Sequence, residues 1–174
     1  LTRLNDHDNI TFIIHSKTLW IEGGRVLKLS TKGHYGLKAM FDLAQHYGSD
    51  PIPLKSVAER QNLPENYLEQ IIAVLRKAGL VKSVRGAQGG YILAKSPVEI
   101  KVGDIIRAME GPIAPVECVS ELEPAECDNA DYCITRTVWA RVRDSIVEVL
   151  DSISLGDMCR EAERLHPAPG KLET

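Results

Sequence analysis

Apolar positions in the middle of the chain recur at helical steps. From Ser30 or Thr31, either of which can cap a helix, Tyr35, Ala39, Met40, Leu43, Ala44 and Tyr47 fall on one stripe. Gly48 and the turn Ser49-Asp50-Pro51 stop it. Two short helices are predicted next. The first holds Leu54, Val57 and Ala58 and runs to about Gln61. The second is entered at Pro64, keeps Leu68, Ile71, Ile72 and Leu75 inward, and ends at Ala78-Gly79. Only Asn62-Leu63 remains between them, which is the spacing of a helix-turn-helix. The period then changes to two. Val81 to Val84 alternates, Arg85 to Gly90 is glycine-rich, and Tyr91-Ile92-Leu93 returns, so a β-hairpin with a basic tip is expected. A hairpin in that place makes a wing.

Farther on, Val102 to Met109 reads as a short helix, and Gly111-Pro112 and Pro115 break the regularity. Val116 to Cys133 is an acidic loop. A long helix is expected from Thr135 to Ile153, with Val138, Trp139, Val142, Ile146, Val149, Leu150 and Ile153 as an apolar seam suited to pairing with a second copy. Residues 1–26 show neither helical nor strand periodicity. The predicted fold is mainly α with a small β-hairpin. Its layout is an extension over 1–26, a winged helix-turn-helix over 27–96, a short helix and cysteine loop over 97–134, a dimerisation helix over 135–156, and a frayed tail over 157–174.

Composition narrows the class. The 174 residues are 44% apolar, enough for one domain with a core and an appendage. No apolar run approaches the roughly 18 residues of a spanning helix. The early run Ile10 to Ile14 contains a Thr, is closed by His15, and lacks a signal peptide's cleavage features. A cytoplasmic, reducing location is therefore expected, where cysteines serve as ligands or redox groups more often than as disulfides. The net charge of −3 conceals an asymmetry: residues 28–95 sum to +5 and residues 96–174 to −8. A basic segment joined to an acidic one suggests an anion-binding domain with a separate regulatory element.

The second helix of the helix-turn-helix leaves Glu65, Asn66, Tyr67, Glu69, Gln70 and Arg76 on its outer surface. Asn and Gln side chains pair with adenine edges, and Tyr and Arg reach phosphates or guanine. On the wing, glycines would let the backbone approach DNA closely, and Arg85 could enter a minor groove. A nucleotide phosphate loop is the rival for Gly86 to Gly90, but the Gly-Lys-Ser/Thr ending is missing and the run lies between strands.

Cys118, Cys127 and Cys133 sit in the acidic loop beside Glu, Asp and Pro, where there is little core to fill. Soft thiolates suit iron–sulphur clusters, zinc or copper(I), and spacing alone does not choose among these or exclude a thiol–disulphide switch. A two-iron two-sulphur (2Fe-2S) centre needs a fourth ligand. Cys159 reads as an ordinary half-buried cysteine, and His34, at the start of the first helix, is the other candidate.

Leu29-Ser30-Thr31-Lys32-Gly33-His34-Tyr35-Gly36-Leu37-Lys38-Ala39, Ala58-Glu59-Arg60-Gln61, Tyr67-Leu68-Glu69-Gln70-Ile71, Leu75 to Val81 and Ser83 to Tyr91 together resemble the IscR/NsrR-type (Rrf-two) bacterial transcription regulators. The likeness runs from about Leu27 to Ile153. Since such proteins tend to begin at the equivalent of Leu27, the upstream stretch is expected to reflect a misplaced translation start. The resemblance implies a homodimeric winged helix-turn-helix regulator on a palindromic promoter site of double-stranded DNA. It places Tyr67, Glu69 and Gln70 on the recognition helix and Arg85 on the wing. It also implies a 2Fe-2S cluster on three cysteines before the long helix, where Cys118, Cys127 and Cys133 stand.

Two departures stand out. The first cysteine gap is eight residues, against five in the cluster-biogenesis regulators, and their histidine ligand three residues after the last cysteine is here Arg136, which has no free lone pair. The nitric-oxide-sensing branch draws its fourth ligand from the partner's first helix, at the position of His34. The expected function is thus a DNA-binding regulator sensing iron–sulphur, redox or nitrosative status. Lys28, Lys32 and Arg76 are assigned phosphate contacts, and Tyr67, Glu69, Gln70, Arg85 and Gly86 the sequence-reading and wing contacts. The alternative is a cluster-free regulator of cysteine or sulphur metabolism controlled by a partner enzyme. An enzyme is not expected, because no base–nucleophile pair accompanies the cysteines.

Overall fold

The computed structural model describes residues 30–86 and 88–166. Lys28, the extension over 1–26 and the end of the chain beyond His166 lie outside the described residues. The order is α1 (Thr31–Gln45), α2 (Leu54–Gln61), α3 (Glu65–Lys77), β1 (Val81–Val84), β2 (Gly90–Leu93), α4 (Val102–Glu110), a single 3₁₀ turn at Glu117–Val119, α5 (Ile134–Ser152) and α6 (Leu155–Leu165).

Helix α1 starts where Ser30 takes an extended backbone and its hydroxyl oxygen accepts from the Lys32 and Gly33 N–H groups at 3.2 and 3.3 Å. Ala39, Met40 and Leu43 on its inner face meet Val57 of α2 and Leu68, Ile71, Ile72 and Leu75 of α3, all nearly excluded from water. Burying each large aliphatic side chain stabilises the fold by about 2 kcal/mol against an exposed state. Asn62, in the left-handed region at φ 52°, makes the turn between α2 and α3. Asp42, 1% exposed, receives both Arg60 Nε and Nη2 at 3.0 and 2.7 Å and Gln61 Nε2 at 3.2 Å, which fixes α2 against α1.

Gly33 and Gly36, one turn apart on α1, explain the close seat of α4. A Cβ on Gly36 would meet Met109 Cγ at 2.7 Å, and one on Gly33 would strike the Glu110 carboxylate. The hairpin is antiparallel, with Val81 opposite Leu93 and Val84 opposite Gly90. Ile52 adds a single bridge to Tyr91, with N–H···O distances of 3.0 and 2.9 Å.

The chain does not fray after the long helix. Residues 157–165, expected as tail, belong to α6, which packs on α1. Ser154 caps it: its hydroxyl oxygen accepts from Asp157 N–H at 3.1 Å, and Asp157 accepts from Ser154 N–H at 2.8 Å. Leu155 is fully buried, Met158 and Cys159 pack against the core, and Val102 N–H to Ile153 O and Leu155 N–H to Ile100 O tie the junction to α4. Helix α5 behaves in the opposite way. None of its 19 residues is buried, and Val138, Trp139, Val142 and Val149 are exposed. None of the described helices is long and apolar enough to cross a membrane.

Candidate nucleic-acid interface and cysteine loop

Helix α3 presents one face to the core and the other to solvent. Leu68, Ile71, Ile72 and Leu75 are buried, while Glu65, Asn66, Glu69, Gln70, Ala73 and Arg76 are exposed. Sequence reasoning passed over Ala73, whose small side chain at the middle of this face leaves room for a close approach. Tyr67 differs from its neighbours: it is half-buried, and its ring meets Tyr35 of α1 edge-on, with centroids 5.8 Å apart. Its ring therefore fixes α3 to α1, leaving Glu65, Asn66, Glu69, Gln70 and Arg76 as the exposed polar groups of this face. Lys32 is half-exposed in the first turn of α1 beside exposed His34.

Arg85 and Gly86 are exposed at the hairpin tip, and Gly86 has φ 132°, a conformation that L side chains rarely adopt. The glycines do not all serve the outside. A Cβ on Gly90 would collide with the Ile52 carbonyl, and one on Gly89 would lie 2.6 Å from Val84 O. These two allow the wing to fold on itself; Gly86 alone of the three has open space around its Cβ position. The expectation that the wing glycines face DNA is corrected to that extent.

The cysteine loop joins α4 to α5. Cys118 lies in the 3₁₀ turn, Cys127 is exposed, and Cys133 is the residue that caps α5. Cys118 and Cys133 line one open cleft of about 340 Å³ with Val119, Arg136, Thr137 and Arg143. Two α5 arginines hold the turn: Arg143 Nη1 donates to Val119 O at 3.0 Å and Arg136 Nε to Cys118 O at 3.4 Å. Arg136 is therefore occupied as a donor, consistent with its inability to ligate a metal. The Thr135 hydroxyl, 3.2 Å from Cys133 Sγ, and then the Arg136 N–H hold that thiol below the usual range. Burial, with Glu163 nearby, pushes the Cys159 thiol up, as befits a side chain of α6 packed against the core.

Among the described residues, no three His, Cys, Asp or Glu side chains converge to hold a metal ion, so the loop does not draw Cys127 to the other two, and His34 joins no such group. The donor chemistry nevertheless fits a thiophilic group: three thiols within 16 residues of one loop, two of them on a shared cleft.

A paired-helix reading head followed by a two-stranded wing, with a long, largely exposed helix after it in the chain, defines a winged helix-turn-helix DNA-binding protein. The family model for Rrf2, described as an iron-dependent transcriptional regulator, matches residues 29–161. The chain is 52% identical over 132 residues to the HTH-type transcriptional regulator CymR of Bacillus subtilis (strain 168), covering 76% of this chain and 89% of that one. Among solved structures, T. potens IscR superposes with a TM-score of 0.69 at 60% identity, covering 83% of this chain and 94% of the other. CymR (YrzC), the global cysteine regulator of B. subtilis, superposes with a TM-score of 0.65 at 51% identity, covering 78% of this chain and 98% of the other. The chain belongs to the Rrf2 family of transcriptional regulators. It is a DNA-binding regulator, not an enzyme.

Proposed function

We propose that this regulator works as a homodimer on a palindromic site and holds a 2Fe-2S cluster on Cys118, Cys127 and Cys133. The observation that carries the reading is the placement of three thiols on the one loop that joins the DNA-reading body to the exposed helix α5. A second copy is the natural cover for Val138, Trp139, Val142 and Val149, since an apolar stripe of this length on water is costly. Two recognition helices held about one DNA turn apart then meet two half-sites.

On the DNA, Lys28, Lys32 and Arg76 bind phosphates, Glu69 and Gln70 read base edges, and Arg85 and Gly86 bring the wing to the backbone or minor groove. Tyr67 contributes by orienting α3. His34 of the partner, an exposed imidazole in the first turn of α1, supplies the fourth cluster position. When bound, a cluster supplies a group sensitive to iron supply and oxidants.

The test is the visible spectrum with iron and acid-labile sulphide content of anaerobically purified protein. About two irons and two sulphides per protomer are expected, lost in Cys118→Ala, Cys127→Ala and Cys133→Ala, with an altered spectrum in His34→Ala. A colourless, iron-free wild-type protein would contradict the reading. One observation favours a second reading, a cluster-free regulator of sulphur metabolism: the three thiols do not converge within the protomer. In that case the Cys→Ala variants keep wild-type operator binding and regulation passes through a partner enzyme.

A further inference from the structure

The last turn of α4 touches three parts of the molecule at once. Arg107 donates from Nε and Nη2 to the two Glu121 carboxylate oxygens at 3.1 and 2.9 Å, and from Nη1 and Nη2 to those of Asp151 at 2.7 and 2.9 Å. Glu121 lies three residues after Cys118 in the cysteine loop and also accepts from Ile113 N–H at 3.0 Å. Asp151 lies in the final turn of α5. Gly103, one turn earlier on α4, makes room for this fork, since a Cβ there would collide with the Asp151 carboxylate and approach Arg107 Nη1 to 2.6 Å.

Three residues beyond Arg107, Glu110 accepts from the Gly33 N–H at 2.9 Å and from the Ser30 hydroxyl. It is thus a second cap on α1, supplied from α4, and its charge suits the positive end of the helix. Between them Met109 packs on Gly36. The first turn of α1 carries Lys32 and His34, and Tyr35, the next residue, makes the edge contact to Tyr67 of the recognition helix.

We infer that the last turn of α4 relays the state of the cysteine loop to the N-terminus of α1, with Arg107 and Glu110 as the positioning residues. The inference rests on the reading of that loop as the sensor. A guanidinium that holds two carboxylates in fixed planar geometry is a two-way clamp, because a movement of Glu121 must either drag α4 or break two charge-assisted bonds. The first outcome moves Glu110, and with it the first turn of α1; the second leaves Arg107 on Asp151 alone and frees the last turn of α4 from the loop. The α4–α1 seat is too tight to absorb the movement, with glycines at both contact points.

The experiment is amide hydrogen exchange on the full-length protein, comparing wild type with Glu121→Gln and the charge-preserving Arg107→Lys. Exchange across residues 31–36 should accelerate by about threefold or more in Glu121→Gln, partly so in Arg107→Lys, while residues 54–77 keep wild-type rates. Unchanged rates over 31–36, or equal acceleration everywhere, would overturn the relay. The same preparations are titrated with a duplex selected by the wild-type protein from a random pool, before and after iron chelation. The wild-type affinity ratio, about fivefold or more, should collapse to about one in Glu121→Gln at unchanged iron content. A ratio retained in that variant also overturns the relay. A wild-type protein without iron would sink the cluster reading alone, and the exchange rates would still decide the relay.

Discussion

Gln70 stands in solvent one helical turn from Tyr67, whose ring is held edge-on by Tyr35, so a single helix carries both an anchored aromatic and free polar readers. The division sets distinct expectations for substitutions. Gln70→Ala should lower affinity for the preferred duplex by about 1–3 kcal/mol while changing non-specific binding little, as measured by anisotropy titration against matched and single-mismatch sites. Arg85→Ala should weaken all duplexes and reduce the slope of log affinity against log salt by about one. Tyr67→Phe should leave both quantities near wild type, because the edge contact survives. These readers were legible in the sequence because a buried stripe of Leu68, Ile71, Ile72 and Leu75 dictates the opposite, exposed face. The wing glycines were only half legible. Their type signals close approach, but whether the approaching atom belongs to DNA or to Ile52 depends on tertiary packing.

Helix α4 shows how charge pairing at the level of elements escapes a linear reading. Arg107 and its partners lie 14 and 44 residues apart, and nothing local marks Glu121 or Asp151 out from the other acids of the loop and helix. Arg107 holds both carboxyls below their ordinary values of 4.5 and 3.8. A depressed folded value stabilises the fold above the unfolded pKa and loses that contribution as pH falls through the folded value. The melting temperature of wild type should therefore drop on acidification below about pH 4.5, and Glu121→Gln should start lower at about pH 6 yet lose less on the way down. Helix α6 escaped for a different reason. The prolines at 167 and 169 and the dense charge of its outer face suggested a tail, although Ser154-x-x-Asp157 already spelled a capping box. Helices α1 to α3 and the hairpin were readable because their apolar periods and turn residues are local in the chain.

Taken whole, the molecule places a reading head and wing at one end of its sequence, a thiol-bearing acidic loop in the middle, and an uncovered helix behind them. Trp139→Glu puts a charge into the exposed seam of α5, and it should convert the protein from dimer to monomer in sedimentation while leaving its helix content intact. Operator binding should fall with it, since one half-site supplies only part of the contacts. The cysteines were visible as a group from sequence, but their spacing did not choose a fourth ligand; His34 was a candidate by its chemistry, and only the family resemblance put it on a second chain. The most direct measurement is the operator affinity of anaerobically purified protein before and after removal of iron by a chelator. A change of about fivefold or more, accompanied by loss of visible absorbance, is the predicted result; equal affinity in both states, from a preparation shown to contain the cluster at the outset, would contradict it.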